Sequence, residues 1–96
     1  MRWKDGLIIV VATIDSNNGY IVSGPDIVSR GFVYVKENEE LMQSAKELAY
    51  EVISDVYDSN YHDWNSVKTK LRDELSRLMY DKTKRSPMIL PILMEI

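Results

Sequence analysis

Residues 7–35 read LIIVVATIDSNNGYIVSGPDIVSRGFVYV, and this stretch decides the fold. Residues 7–14 form an unbroken apolar run rich in β-branched side chains, which is typical of a strand covered on both faces. The polar residues 15–19 predict a hairpin loop that ends in Asn-Gly, the pair best suited to positive φ. Residues 20–22 then begin the return strand.

A turn signal follows the return strand. Because proline fixes φ and removes a backbone donor, Gly24-Pro25 predicts a turn that interrupts this strand. A third strand is expected over residues 31–36, in which side chains alternate between the two faces. Phe32 and Tyr34 would share one of those faces.

Three polar side chains precede Gly31, which is unusual in a segment that only fills a core. They are Asp26, Ser29 and Arg30. In one interpretation they form a structural corner, in which Asp26 accepts hydrogen bonds from Arg30 or from backbone N–H groups. In the other they shape a surface that docks another domain, another subunit or a phosphate. The stretch alone leaves both open.

Two helices are predicted downstream by apolar residues at three- and four-residue spacing. The first begins at Asn38, a favourable N-cap, and runs for about five turns. Residues 59–62 break it, and Asp63 is placed to cap the second helix. The apolar stripes are Leu41, Ala45, Leu48, Val52 and Val56 in the first helix, and Trp64, Val67, Leu71, Leu75, Leu78 and Met79 in the second.

The chain ends in a predicted strand, MILPILMEI, after residues 82–87 terminate the second helix. Pro91 lacks a ladder donor, which favours an edge strand or a bulge. The expected order is β-β-β-α-α-β, an α+β two-layer sandwich with a small three- to four-stranded sheet backed by two helices. One side of such a sheet is open, and the apolar last strand needs a partner.

Composition narrows the class of protein. The 96 residues are 45% hydrophobic and 28% charged, which indicates a single globular domain over residues 1–96. The sequence has no cysteine, no apolar run long enough to span a bilayer and no basic-apolar leader, so we expect a soluble cytoplasmic protein without a membrane partner. His62 is the only histidine, and no phosphate-loop or nucleophile motif is present. No catalytic residue, metal ligand or cofactor is therefore expected in this chain.

Positive charge collects near the C-terminus. The net charge is −3, yet residues 63–96 carry seven Lys or Arg against five Asp or Glu. Such a cluster could contact RNA phosphates in a salt-sensitive way, or it could be a solvated helix face. The candidate RNA contacts are Arg77, Lys82, Lys84 and Arg85.

Two blocks of this sequence, SGPDIVSRGFVYV (23–35) and KTKRSPMILP (82–91), flank the two predicted helices. In this order they resemble the C-terminal domain of ribonuclease J, a bacterial metallo-β-lactamase/β-CASP ribonuclease. The resemblance covers nearly the whole chain, and the fold that it implies agrees with the one predicted from periodicity.

The resemblance implies that the chain is one part of a longer enzyme, whose metallo-β-lactamase and β-CASP domains are absent from this sequence. It implies a two-zinc catalytic site in the parent, to which no residue here corresponds. It also implies that the parent has 5′-to-3′ exonuclease and endonuclease activity on RNA, and that this domain is non-catalytic. The implied partners are the enzyme's remaining domains, its RNA substrate and a further copy of the enzyme.

The open side or edge of the sheet is the candidate site of self-association. The candidate interface or structural residues are Asp26, Ser29, Arg30, Phe32, Tyr34, Met88, Leu90 and Ile92. Two alternatives stay open: a module that contacts RNA through the basic residues, and an independent small interaction domain.

Overall fold

The computed structural model describes residues 5–31, 38–58 and 64–96 of the chain. Within them the element order is β-β-α-α-β. Of the third strand expected over residues 31–36, only Gly31 is described, and it is a bend; the rest lies outside the described residues. The elements are β1 (Leu7–Ile14), β2 (Ile21–Arg30), α1 (Asn38–Asp58), α2 (Trp64–Thr83) and β3 (Met88–Glu95).

The described strands form one mixed sheet in the order β2-β1-β3. β1 pairs antiparallel with β2 and parallel with β3. The pairing of β1 with β3 runs without a shift from Leu7 opposite Met88 to Ile14 opposite Glu95. The predicted α+β two-layer architecture is thereby confirmed, with three strands in the described part of the sheet.

Both helices bury their apolar stripes against the same side of the sheet, with α1 in contact with β2 and α2 in contact with β3. Ile8, Val10, Ala12 and Ile14 alternate along β1 and lie in this core. The helical periodicity read from the sequence is confirmed by the side chains that the helices bury. These are Leu41, Ala45, Ala49, Val52 and Ile53 from α1, and Val67, Leu71, Leu75 and Met79 from α2.

The expectation that both faces of β1 are covered is wrong for the described part of the chain. Leu7, Ile9 and Val11 alternate with the buried residues and keep partial exposure. Both helices lie on the other side of the sheet. The apolar run therefore indicates a central strand with a neighbour on each side, but only one of its faces is packed under helices.

β2 continues through Gly24-Pro25 as a single strand, so the expected interruption is wrong. The peptide bond between these residues is cis. The register against β1 shifts between Val11 and Thr13 and again between Thr13 and Ile14, and at each shift β2 has one more residue than β1. Because β2 lies at an edge of the described sheet, a bulge and a proline can be accommodated without ending the strand.

Pro91 lies within β3, which is the other edge strand of the sheet formed by the described residues, in agreement with the prediction. The N–H groups of Met88 and Ile96 donate to the carbonyl oxygens of Gly6 and Ile14 over 2.9 and 3.0 Å. Backbone groups alternate in direction along a strand, so even-numbered residues here face β1 and odd-numbered ones face outward. The missing N–H of Pro91 therefore costs no hydrogen bond to β1.

Gly24 within β2 and Gly31 directly after it provide a matched test of the backbone, since φ is 89° at the first and 68° at the second. A Cβ at Gly24 would lie 2.6 Å from the carbonyl oxygen of Val11, whereas the nearest atom at Gly31 is the Gly6 Cα at 3.7 Å. We expect Gly24→Ala to lower the free energy of unfolding by about 2–3 kcal/mol and Gly31→Ala by about 1 kcal/mol. Urea unfolding followed by circular dichroism measures both; equal losses would contradict the close approach at Gly24.

Candidate interaction surface

The side of the sheet that faces away from the helices is apolar on β1 and β3, and on β2 it carries Val28 between two charged residues. The register places Ile9 of β1 between Val28 of β2 and Leu90 of β3. The neighbouring rows are also apolar on β1 and β3, with Leu7 beside Met88 on one side and Val11 beside Ile92 on the other. We call this surface the open sheet face; its apolar residues are Leu7, Ile9, Val11, Val28, Met88, Leu90, Ile92 and Met94.

The strand β3 shows how unevenly the two faces are buried. Ile89 and Pro91 point toward the helices and are buried. Met88, Leu90 and Ile92 point the other way and keep 40–43% of their surface exposed. Large aliphatic side chains in one contiguous, exposed patch are typical of an interaction site.

Charged residues border the open sheet face on β2. Asp26 and Arg30 are exposed on either side of Val28, and all three side chains share that face. Since an extended strand rises about 3.3 Å per residue, the Cα atoms of Asp26 and Arg30 are about 13 Å apart. No ion pair or hydrogen bond joins their side chains among the described contacts. The structural corner in which these two residues pair is therefore wrong. Ser29 lies opposite Ile8 and belongs to the helix-facing side of the sheet.

The structure thus brings five of the eight candidate interface residues together. Asp26, Arg30, Met88, Leu90 and Ile92 all lie on the open sheet face. Phe32 and Tyr34 lie outside the described residues.

Sequence reasoning missed four residues that β1 and β2 contribute to the open sheet face. It did not single out Leu7, Ile9 and Val11 because it took the apolar run of β1 as covered on both faces. It did not single out Val28, because the interpretation of that segment considered only the polar residues around it. The signal that could have found them is the period-two alternation of strand side chains, applied to both sides of the central strand.

The candidate RNA contacts lie at the C-terminal half and end of α2, and two of them are paired with carboxylates. Arg77 donates to Glu74 over 2.7 Å. The Arg85 guanidinium lies 3.8 Å from the Asp5 carboxylate, which also accepts the Ser86 N–H over 2.8 Å. These contacts reduce the positive potential that the two arginines present to a polyanion.

The two lysines of this set differ from the arginines. Within the described residues, neither Lys82 nor Lys84 has an ion pair, and both are exposed. Lys84 directly follows α2 with φ 60°, and its N–H donates to the carbonyl oxygen of Tyr80 over 2.8 Å. Its ammonium group lies 5.2 Å from the centroid of the exposed Tyr80 ring, a cation–π distance. A small cationic and aromatic surface results.

The described residues hold no cluster of three or more His, Cys, Asp or Glu side chains placed to bind a metal ion. Neither helix in the described ranges is both long and apolar enough to cross a membrane.

Comparison with known proteins identifies the family. A family model described as the ribonuclease J C-terminal domain matches residues 4–96. The chain belongs to this family. Over 93 residues it is 44% identical to ribonuclease J2 of Bacillus subtilis strain 168, an alignment that covers 97% of this chain and 17% of that protein.

Two staphylococcal proteins give similar alignments to this ribonuclease J C-terminal domain. Ribonuclease J 2 of Staphylococcus epidermidis and of Staphylococcus aureus strain NCTC 8325 are each 42% identical over 93 residues. Each alignment covers 97% of this chain and 17% of the staphylococcal protein. The resemblance read from the two sequence blocks is thereby confirmed.

The residues of this ribonuclease J C-terminal domain do not fit the two-zinc site that the resemblance implies for a parent enzyme. The sequence contains one histidine and no cysteine. That histidine, His62, lies outside the described residues. Zinc sites in proteins draw on several His, Cys, Asp or Glu ligands, so no catalytic step is assigned to this domain.

The two faces of β3 predict opposite responses to truncation. Ile89 is 5% exposed within the core, whereas its neighbour Leu90 is 43% exposed. We expect Ile89→Ala to lower the free energy of unfolding by about 2–4 kcal/mol, and Leu90→Ala by less than about 1 kcal/mol. The measurement is urea unfolding at a protein concentration low enough for self-association to be negligible. A comparable loss in both variants would mean that the open sheet face is packed within the single chain.

Proposed function

We propose that the chain, as a single domain over residues 1–96, is the non-catalytic C-terminal module of a ribonuclease J-like enzyme. In this proposal it brings copies of that enzyme together. The observation that carries it is the open sheet face, where apolar side chains of three strands adjoin without a helix over them in the described residues. Removing such a surface from water contributes roughly 25 cal/mol for each Å² buried.

The proposal separates the task of assembly from catalysis. The parent would be a cytoplasmic zinc-dependent hydrolase that acts on RNA as a 5′–3′ exonuclease and endonuclease, with its metal site in other domains. The present domain would hold two such enzymes together and thereby support RNA processing and decay. Family membership and the share of the relatives' length that the chain spans support this division.

Self-association is tested by sedimentation of the 96-residue chain over a micromolar concentration series. We expect a dimer or larger species, and we expect Leu90→Lys to raise its dissociation constant by at least about tenfold, because an ammonium group would be desolvated in an apolar interface.

The matched control is Tyr50→Lys, which places the same charge at another exposed apolar position, on α1. It should leave the assembly unchanged. A chain that stays monomeric throughout the series would contradict the proposed function. An equal effect of both variants would assign any loss to added charge instead of to the open sheet face.

A second candidate function is direct contact with RNA through the end of α2. It is favoured by Lys82 and Lys84, which have no ion pair among the described residues, and by the exposed ring of Tyr80 beside Lys84. Lysines bind the phosphate backbone without reading its sequence, and an aromatic ring can stack on a base.

For RNA contact, we expect the chain to bind single-stranded RNA at low salt, with an affinity that falls as salt is added. Three phosphate contacts correspond to a slope of about −2 in a plot of log K against log salt. The triple substitution of Lys82, Lys84 and Arg85 by Ala should abolish most of this binding in a fluorescence anisotropy titration.

The control triple substitutes Lys68, Lys70 and Arg72 of α2 by Ala, which removes the same charge from elsewhere on that helix. If both triples weaken binding equally, the attraction follows from net charge, and the end of α2 is not a specific contact.

A further inference from the structure

Two oppositely charged residues on the open sheet face indicate how two copies of the chain would be oriented in the self-association proposed above. Asp26 and Arg30 lie on that face, each two residues from Val28 and on opposite sides of it. The pairing with β1 is regular over this segment, with Asp26 opposite Val11 and Arg30 opposite Leu7. Opposite charges placed at equal distances from a midpoint form a self-complementary pattern.

We propose that two copies of the chain stack their open sheet faces about a two-fold axis perpendicular to the strands at the level of Val28, so that Arg30 of each copy lies opposite Asp26 of the other. This inference rests on the proposed function. A two-fold axis makes the interface isologous, so the one pair of charges forms two identical ion pairs.

The same axis brings the apolar rows into register. The row of Val28, Ile9 and Leu90 in one copy lies over the same row of the other copy. Each neighbouring row lies over the row from the opposite side of the axis. Leu7 then faces Val11 of the other copy. Stacked sheets lie about 10 Å apart and keep their strand directions within about 30°, so rows near the axis stay opposed.

The alternative two-fold axis in the plane of the interface runs along the strands. It would place β2 over β3 of the other copy, so that Arg30 would face Met88 and Asp26 would face Ile92. Each charge would then be moved toward apolar side chains without a counter-charge, which is unfavourable. The axis perpendicular to the strands avoids this, and the charge pattern therefore selects between the two.

Charge reversal tests the arrangement directly. Arg30→Asp or Asp26→Arg alone makes both ion pairs repulsive, and each should raise the dissociation constant of the dimer at least tenfold. An equimolar mixture of the two single variants should form heterodimers, because each chain then supplies the charges that the other needs. The double variant D26R/R30D should regain self-association but should not associate with the unaltered chain.

The controls are Lys70→Asp and Asp73→Arg, which make the same net-charge changes at exposed positions of α2. They should leave the dimer unchanged. All variants are checked for folding by circular dichroism, and association is measured by sedimentation.

Cross-linking gives a second, independent measurement, since the chain has no cysteine of its own. Val28→Cys should be linked to its own copy by a short bis-maleimide, because this position lies near the axis. Met94→Cys should not be, because its two copies would lie at opposite ends of the interface.

The outcomes separate this inference from the proposed function. If the unaltered chain is a monomer, both are overturned. If it dimerises and Leu90→Lys disrupts the dimer, but charge reversal has no effect, then the open sheet face is the interface and the proposed axis is wrong. Cross-linking only between Val28→Cys and Leu90→Cys chains would likewise overturn this axis in favour of the one along the strands.

Discussion

The burial of one face of β1 under two helices is the constraint on which the rest of the structure depends. β1 is the strand that pairs with both other strands of the described sheet. Its residues Ile8, Val10, Ala12 and Ile14 are at most 1% exposed and lie in the same core as both helices. A side chain period of two then places every other residue of β1 on the opposite face. The position of the open sheet face follows from this alternation.

Much of this architecture could be predicted because its signals are local. The spacing of apolar residues gives α1 and α2, and a proline within an apolar strand gives an edge position for β3. The continuation of β2 could not be predicted, since Gly24-Pro25 is a strong local signal for a turn. What overrides that signal is pairing with β1 on both sides of a bulge, a contact between residues distant in sequence.

The candidate site was predictable to a similar degree. Met88, Leu90 and Ile92 alternate with buried residues, so their exposure follows from the strand period once one face is fixed. The interpretation in which Asp26 accepts a hydrogen bond from Arg30 is wrong, because residues close in sequence along a strand are not close in space. A four-residue separation brings side chains together on a helix, but along a strand it holds them about 13 Å apart. Because their separation is an even number of residues, both side chains nevertheless lie on the same face of the sheet.

The two surfaces of the domain differ in what they can contribute to binding. Near the end of α2, carboxylates lie beside Arg77 and Arg85, so that of the four candidate RNA contacts only the two lysines have no ion pair within the described residues. Two or three phosphate contacts give a weak attraction that salt reduces further. The open sheet face has apolar side chains on three strands, and its burial is not screened by salt. Of the two proposed roles, assembly would therefore have the larger driving force, and the charged residues of the open sheet face would be better suited to fixing the orientation of a partner than to supplying affinity.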